Sequence, residues 1–404
     1  MLPTILRRLH EFSRRLVVRV LLIAFCAVLA IVLAKVFGGA IPLGLSDRIG
    51  ADAVDRILSI IANSMLAVTT FSLTIMAASH RIAQTQWTPR AHQVLLQDTT
   101  THTVLATFVG AYLYAIAVIV LRETAVFQGE ELVVLFFVTL AVVALVIIAM
   151  IRWISYMEVL GSLIETAGRI EKQADMAYRM RCEHPALGGV PLTGAPPEDT
   201  VAVLAEQTGY IQQVYQDRLQ EDAEEAGVHV YLDRSVGAFV HRGEVLARVG
   251  GTDADCADMV RRHISIGTLR NYTQDPEFGL QNLTEIGQRA LSPGINDPGT
   301  AVDMIRRVTR ILLGASVVRE ADENILYDRV HVPPLPRDVL VIASIGAILR
   351  DGLSHPEVVA AARGSLAALA RQGDPAIAGA ARNLTAELDE REEEVAFIGG
   401  RAQA

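Results

Sequence analysis

Hydrophobic and polar positions divide this chain into two unlike parts. Four apolar runs occupy the first 152 residues: 18–37 (VRVLLIAFCAVLAIVLAKVF), 57–78 (ILSIIANSMLAVTTFSLTIMAA), 103–121 (TVLATFVGAYLYAIAVIVL) and 132–151 (LVVLFFVTLAVVALVIIAMI). Each approaches the ~20 residues that an α-helix needs to cross the hydrocarbon core of a bilayer. No small-residue cleavage site follows the first run and three more come after it, so it reads as a retained span and not a removed signal peptide. A helical pattern continues over 153–182, and HPALGGVPLTGAPPEDT (184–200) is dense enough in Pro and Gly to read as a linker.

Beyond the linker the period changes. VAVLAEQTGYIQQV (201–214) and VYLDRSVGAFVHRGEVLARV (230–249) alternate as strands do, with a polar helical stretch from Tyr215 to Gly227 between them. After the capping pair Thr252-Asp253 the pattern is helical to the end, over 254–263, 277–291, 299–314, 338–351, 355–371 and 375–397. The expected fold is mainly α. A four-helix transmembrane domain (1–152) is followed by a helix and Pro/Gly linker (153–198), a small β-barrel-like module (199–250) and a helical cytoplasmic domain (251–404). The stretch GAFVHRGEVLARV resembles the half-barrel of biotinyl and lipoyl domains. Those need a carrier lysine at the hairpin tip, and the chain's two lysines are Lys35 and Lys172, so the expectation is a structural barrel and no cofactor.

Charge follows the same division. Residues 1–152 carry 12 Lys+Arg against 8 Asp+Glu, and the remainder carries 24 against 37, giving +4 and −13. So acidic a soluble part argues against nucleic acid as a partner. Arg7, Arg8, Arg14, Arg15 and Arg19 precede the first run, which places that end in the cytoplasm; four crossings return the chain there. The expected location is the bacterial inner membrane, with both ends inside. Cys26, Cys182 and Cys256 are too scattered for a disulfide framework or a metal pair, and the ten histidines show no ligand spacing.

Two places carry candidate chemistry. In the second run, Ser59, Asn63, Thr70 and Thr74 fall within ~60° of one another on a helical wheel, and Arg81 extends the line. Such a stripe either lines a water-filled path or satisfies itself by helix packing and bonds to its own carbonyls. Asn63 is the critical member, because an amide cannot satisfy itself on its own helix as a hydroxyl can. In the third run, Ala106 and Gly110 form a small-xxx-small pair suited to close helix contact. Between these runs, Trp87 with Arg81, Arg90 and His92 suggests anchoring at the membrane interface.

The second place is RALSPGINDPGTAVD (289–303). Asp297 before Pro298 suits a helix N-cap with proline in the first turn; Thr300 is an alternative cap closing a box with Asp303. Gly294 permits a left-handed backbone next to Asn296. A bare helix N-terminus would favour an anion, with Arg289, Arg306 and Arg307 adding charge and Ser292, Gly294, Asn296, Asp297 and Thr300 around it. Arg270 and Asp275 in TLRNYTQDPEFG could face the same place. The alternative is a rigid corner that satisfies its own backbone. No nucleophile–base pair, metal triad or P-loop can be drawn, so an enzyme is not expected.

FSLTIMAASHRIAQTQWTPRA, the pair GYIQ and GAFVHRGEVLA, and DPEFGLQNLTEIGQRALSPGINDPGTA occur in this order. Together they resemble a family of bacterial predicted membrane proteins carried as domain-of-unknown-function family 2254, over about residues 15–390. The resemblance implies a multi-pass inner-membrane protein with a cytoplasmic domain, and no reaction. The leading expectation is a homo-oligomeric, channel-like or transport-related protein whose cytoplasmic part assembles or regulates it. The rival is a membrane-anchored module that binds a small anion or a partner.

Overall fold

The computed structural model describes residues 51–86, 88, 90, 99–124, 131–159, 162–250, 255–314 and 325–401, with a few positions between 18 and 36. The chain divides into two compact units, Met1–Gln86 with His92–Leu163, and Trp87–Ala91 with Ile164–Ala404.

The first unit is helical. It contains α1 (Ala51–Gln86), α2 (Thr99–Glu123) and α3 (Glu131–Val159). Within them Ala53–Ser79, Thr103–Glu123 and Glu131–Met157 are long and apolar enough to cross a membrane. The described residues thus hold three such helices where four were expected; most of the first expected span, 18–37, lies outside them. Val54, Leu58, Ile61 and Met65 form a buried seam along α1 at spacings of four, three and four, the pattern that keeps one helical face on its neighbours. They meet Phe108, Ala111, Tyr114 and Val118 of α2 and Leu135, Val142 and Val146 of α3. Ala106 and Gly110 are both buried, as close helix approach requires. Thr139 donates its hydroxyl proton to the Leu135 carbonyl at 2.8 Å, which leaves the Tyr114 hydroxyl to donate to Thr139 Oγ1 at 2.9 Å. At one end Arg122 reaches Asp55 at 2.6 Å and ties α2 to α1.

The second unit joins two sheets to a helical layer. After α4 (Leu163–Glu183) come β1 (Gly189–Pro191), β2 (Thr200–Leu204), β3 (Gly209–Val214), α5 (Gln216–Glu225), β4 (Val230–Leu232), β5 (Phe239–Val240) and β6 (Val245–Gly250). Then follow α6 (Asp255–Arg262), β7 (Ile264–Gly267), α7 (Pro276–Ala290), α8 (Pro298–Leu313) and β8 (Tyr327–Val332). The chain ends with α9 (Arg337–Val341), a π-turn (Ile342–Gly346), α10 (Ala347–Gly352), α11 (Pro356–Leu369) and α12 (Pro375–Arg401).

One sheet is ordered β1-β8-β4-β6-β2 and the other β5-β3-β7. Neither closes on itself, so the barrel expected for 199–250 is corrected to two open sheets. The physical reason lies in strands from distant sequence. β8 inserts between β1 and β4, parallel to both, and β7 pairs with β3. β1 itself comes from the stretch that reads as a linker. A Cβ on Gly189 would lie 2.2 Å from the Val330 carbonyl oxygen, so glycine is what lets β1 approach β8. Leu219 and Ala223 of α5 cover Val230, Leu232, Val249, Val330 and Val332 in the sheet core.

Candidate functional site

The stripe on α1 faces outward. Ser59, Asn63, Thr70, Thr74 and Arg81 are all exposed, opposite the seam that buries Val54, Leu58, Ile61 and Met65. Thr70 and Thr74 donate to the Leu66 and Thr70 carbonyls, each at 3.0 Å, so their hydroxyls are satisfied within the helix. Asn63 makes no hydrogen bond among the described residues. It lies within the apolar stretch Ala53–Ser79, where no water is at hand to satisfy an amide facing lipid.

The proline-glycine corner is built almost wholly by its own backbone. Asp297 is the N-cap of α8, accepting from Thr300 N at 3.1 Å and from the Thr300 hydroxyl at 2.5 Å, with Pro298 in the first turn. These bonds hold its carboxyl below the usual carboxylate range. The cap is therefore Asp297 and not Thr300. Ser292 donates to the Arg289 carbonyl at 2.7 Å, and its own carbonyl accepts from Ile295 N and Asn296 N. Asp297 N returns to the Ala290 carbonyl at 2.8 Å. The left-handed residue is Asn296, with φ of 51°, and not Gly294, since the positive-φ glycines lie elsewhere. Asn tolerates that region because its short side chain can bond locally. The α8 amides already face a carboxylate, and Arg307 turns away to Glu171 and Asp303, each at 2.7 Å.

Arg270 and Asp275 do not join this corner. Asp275 caps the N-terminus of α7, and the corner begins at its C-terminus, 15 residues and roughly 22 Å along the axis. They make a separate cluster. Arg270 grips Asp275 through Nε (2.7 Å) and Nη2 (2.8 Å), and Nη1 donates to Gln281 Oε1 at 3.1 Å. The guanidinium lies 5.4 Å from the Phe278 ring centre, and Asp275 also accepts from Phe278 N. Asp275 is only 2% exposed. Its charge also acts on Arg181, a buried α4 residue that burial pushes down to about 10. Arg181 donates to the Pro185 carbonyl at 3.0 Å.

Gly237, in the turn that leads into β5, closes over this pair. Its φ is +90°, and a Cβ there would lie 2.4 Å from Asp275 Oδ2 and 2.7 Å from Arg270 Nη2. The turn before β5 thus lids a buried ion pair, and β5 and β6, which flank the expected carrier tip at 241–244, belong to different sheets. Arg181 carried no signal in the sequence, being one of many helical arginines. Gly237 was visible only as a turn.

Two further groupings emerge from the fold alone. β4 and β8 bring His229, Tyr231, Arg329 and His331 together. Arg329 Nη1 lies 3.1 Å from His229 Nε2, and His229 Nδ1 lies 3.1 Å from His331 Nε2. An arginine only donates, so His229 Nε2 accepts, its proton sits on Nδ1, and His331 carries its own on Nδ1. The second grouping is a crevice of about 210 Å³ between the α9–α10 segment and α12. Arg90, expected to anchor at the interface, pairs with Glu285 of α7; Trp87 and His92 lie outside the described residues. Among the described residues no three His, Cys, Asp or Glu side chains group as metal ligands.

The first unit and the family comparison together define a membrane protein with apolar helices and a separately folded α+β unit. The chain belongs to the family described as Predicted membrane protein (DUF2254), whose model matches residues 13–368. It is 28% identical over 260 residues to uncharacterised proteins of Mycobacterium tuberculosis and Mycobacterium bovis. That match covers 60% of this chain and 48% of each relative, so the chain spans about half the length of the curated relatives it matches. No solved structure matches it.

Proposed function

We propose that this protein is a homo-oligomer of the bacterial inner membrane in which α1 from each copy turns its polar edge to a common axis and forms a permeation path. The second unit then serves as the cytoplasmic assembly or regulatory part, and the chain is not an enzyme. The observation that carries the reading is the outward position of Ser59, Asn63, Thr70 and Thr74, with the Asn63 amide unbonded among the described residues. Facing lipid, that amide costs free energy; facing an axis, it meets water or another copy. Topology agrees with the arginine-rich start. In this reading α2 and α3 carry the chain out and back to one side, which the grouping of Trp87–Ala91 with Ile164–Ala404 in one unit supports.

The test is cysteine cross-linking of the full chain in membranes, with Cys26 and Cys256 replaced by serine. Asn63→Cys should give disulfide-linked dimers on oxidation, whereas Leu58→Cys, on the buried face, should not. Asn63→Leu should abolish conductance in a planar bilayer. Conductance unchanged by Asn63→Leu, or no dimer from Asn63→Cys, would leave the spans as an anchor for a cytoplasmic binding module.

A further inference from the structure

The second unit contains a crevice that neither the membrane reading nor the ion-pair clusters use. Its floor is Leu349, Leu384 and Leu388, with Ile342 and Leu353 at the mouth and Gly346 at its back. The mouth residues are unusually open for their type, Ile342 at 49% and Leu353 at 40% exposed. The π-turn at Ile342–Gly346 interrupts the regular helical path here, a device that recurs where helices build functional sites. A Cβ on Gly346 would come within 3.3 Å of Leu384 Cδ2, so glycine keeps the space clear.

The rim is charged and unbalanced. Arg391 donates to Glu387 at 2.6 Å, one turn away on α12, and the two neutralise each other. Arg350 lies exposed at the opening and has no acidic partner among the described residues. The crevice therefore offers an apolar slot ending at one free guanidinium, whose fork fits a carboxylate. At about 210 Å³ it is too small for a helix from another protein. Scaling from cavities of ~150 Å³ that accept benzene, it takes roughly eight carbon atoms.

We propose that this crevice binds a medium-chain carboxylate, its tail against Leu349, Leu384 and Leu388 and its head on Arg350. The experiment uses the full chain in detergent-free lipid nanodiscs, with 13C-labelled octanoate followed by NMR and empty nanodiscs subtracted. Saturable binding is expected, strengthening about fourfold per methylene from hexanoate to octanoate. Ile342→Trp, a change at an exposed position that blocks the mouth, should weaken it at least tenfold. Arg350→Gln should erase the preference for octanoate over octanol, and Arg350→Lys should restore part of it. Absence of saturable binding, binding indifferent to Ile342→Trp, or equal binding of octanol to the unaltered chain would each overturn the proposal.

Discussion

Replacing Asp275 by Asn tests whether the buried ion pair organises the second unit. Asparagine caps a helix about as well as aspartate, so the bond from Phe278 N survives and the charge alone is removed. What remains is Arg270, its side chain 12% exposed, with Gln281 and the more distant Glu277 as partners, and Arg181 without its compensating carboxylate. Breaking a buried pair by removing one partner costs ~3–5 kcal/mol. Glu277 at 3.5 Å compensates partly, but its side chain is 49% exposed and well screened, so the lower end, ~3 kcal/mol, is expected. Cys182, 1% exposed, reports the loss, because its thiol must be uncovered before it can react. In the full chain, with Cys26 and Cys256 replaced by serine, labelling of Cys182 under native conditions should quicken ~100-fold, at 1.4 kcal/mol per factor of ten. Arg270→Met added to Asp275→Asn should recover part of the loss, since one buried cation then disappears. Acceleration below about fivefold, with no recovery in the double variant, would refute the account.

Gly237→Ala should destabilise the same region by ~2 kcal/mol or more, from its φ of +90° and from the Cβ contact with Asp275, again read as faster Cys182 labelling. His331 sets a pH dependence: burial first, and His229 second, hold it below the ordinary imidazole range, with Asp328 opposing. Its folded-state pKa is the lower one, so the stability it supports is complete above ~6.5 and falls as the pH drops toward that lower value. Melting temperature measured from pH 7.5 to 5 should decline in the unaltered protein and decline less in His331→Gln.

What the sequence revealed depended on how local each feature is. The apolar runs declared α1, α2 and α3 because crossing a bilayer demands an unbroken stretch, and the Asp297-Pro298 cap was readable because capping acts over three residues. β8 stayed hidden between helices, since its partners β1 and β4 lie far back in the chain and a six-residue alternation says nothing of them. β1 was masked for a related reason. Its glycine reads as linker punctuation until the Val330 carbonyl stands against it. Placing Arg270 beside the proline-glycine corner failed on simple geometry, because a helix of 15 residues separates what the sequence sets close together. Likewise Gly294 is the obvious left-handed residue by type, yet Asn296 takes that backbone, because the bonds from Ile295 N and Asn296 N to Ser292 set where the chain turns.

The polar edge of α1 and the proline-glycine corner then separate on one criterion, whether a polar group has already found its partner. At the corner the Thr300 amide and hydroxyl are engaged by Asp297, the Ser292 hydroxyl by the Arg289 carbonyl, and the Arg307 guanidinium by Glu171 and Asp303, while Arg306 is exposed. A ligand at those engaged groups would have to displace bonds of ordinary length. On α1 the hydroxyls of Thr70 and Thr74 are likewise spent, and among the described residues Asn63 is not. An unbonded amide in hydrocarbon costs several kcal/mol, more than a hydroxyl that can bond its own helix. That difference makes Asn63, rather than the motif-rich corner, the polar group left without a partner among the described residues.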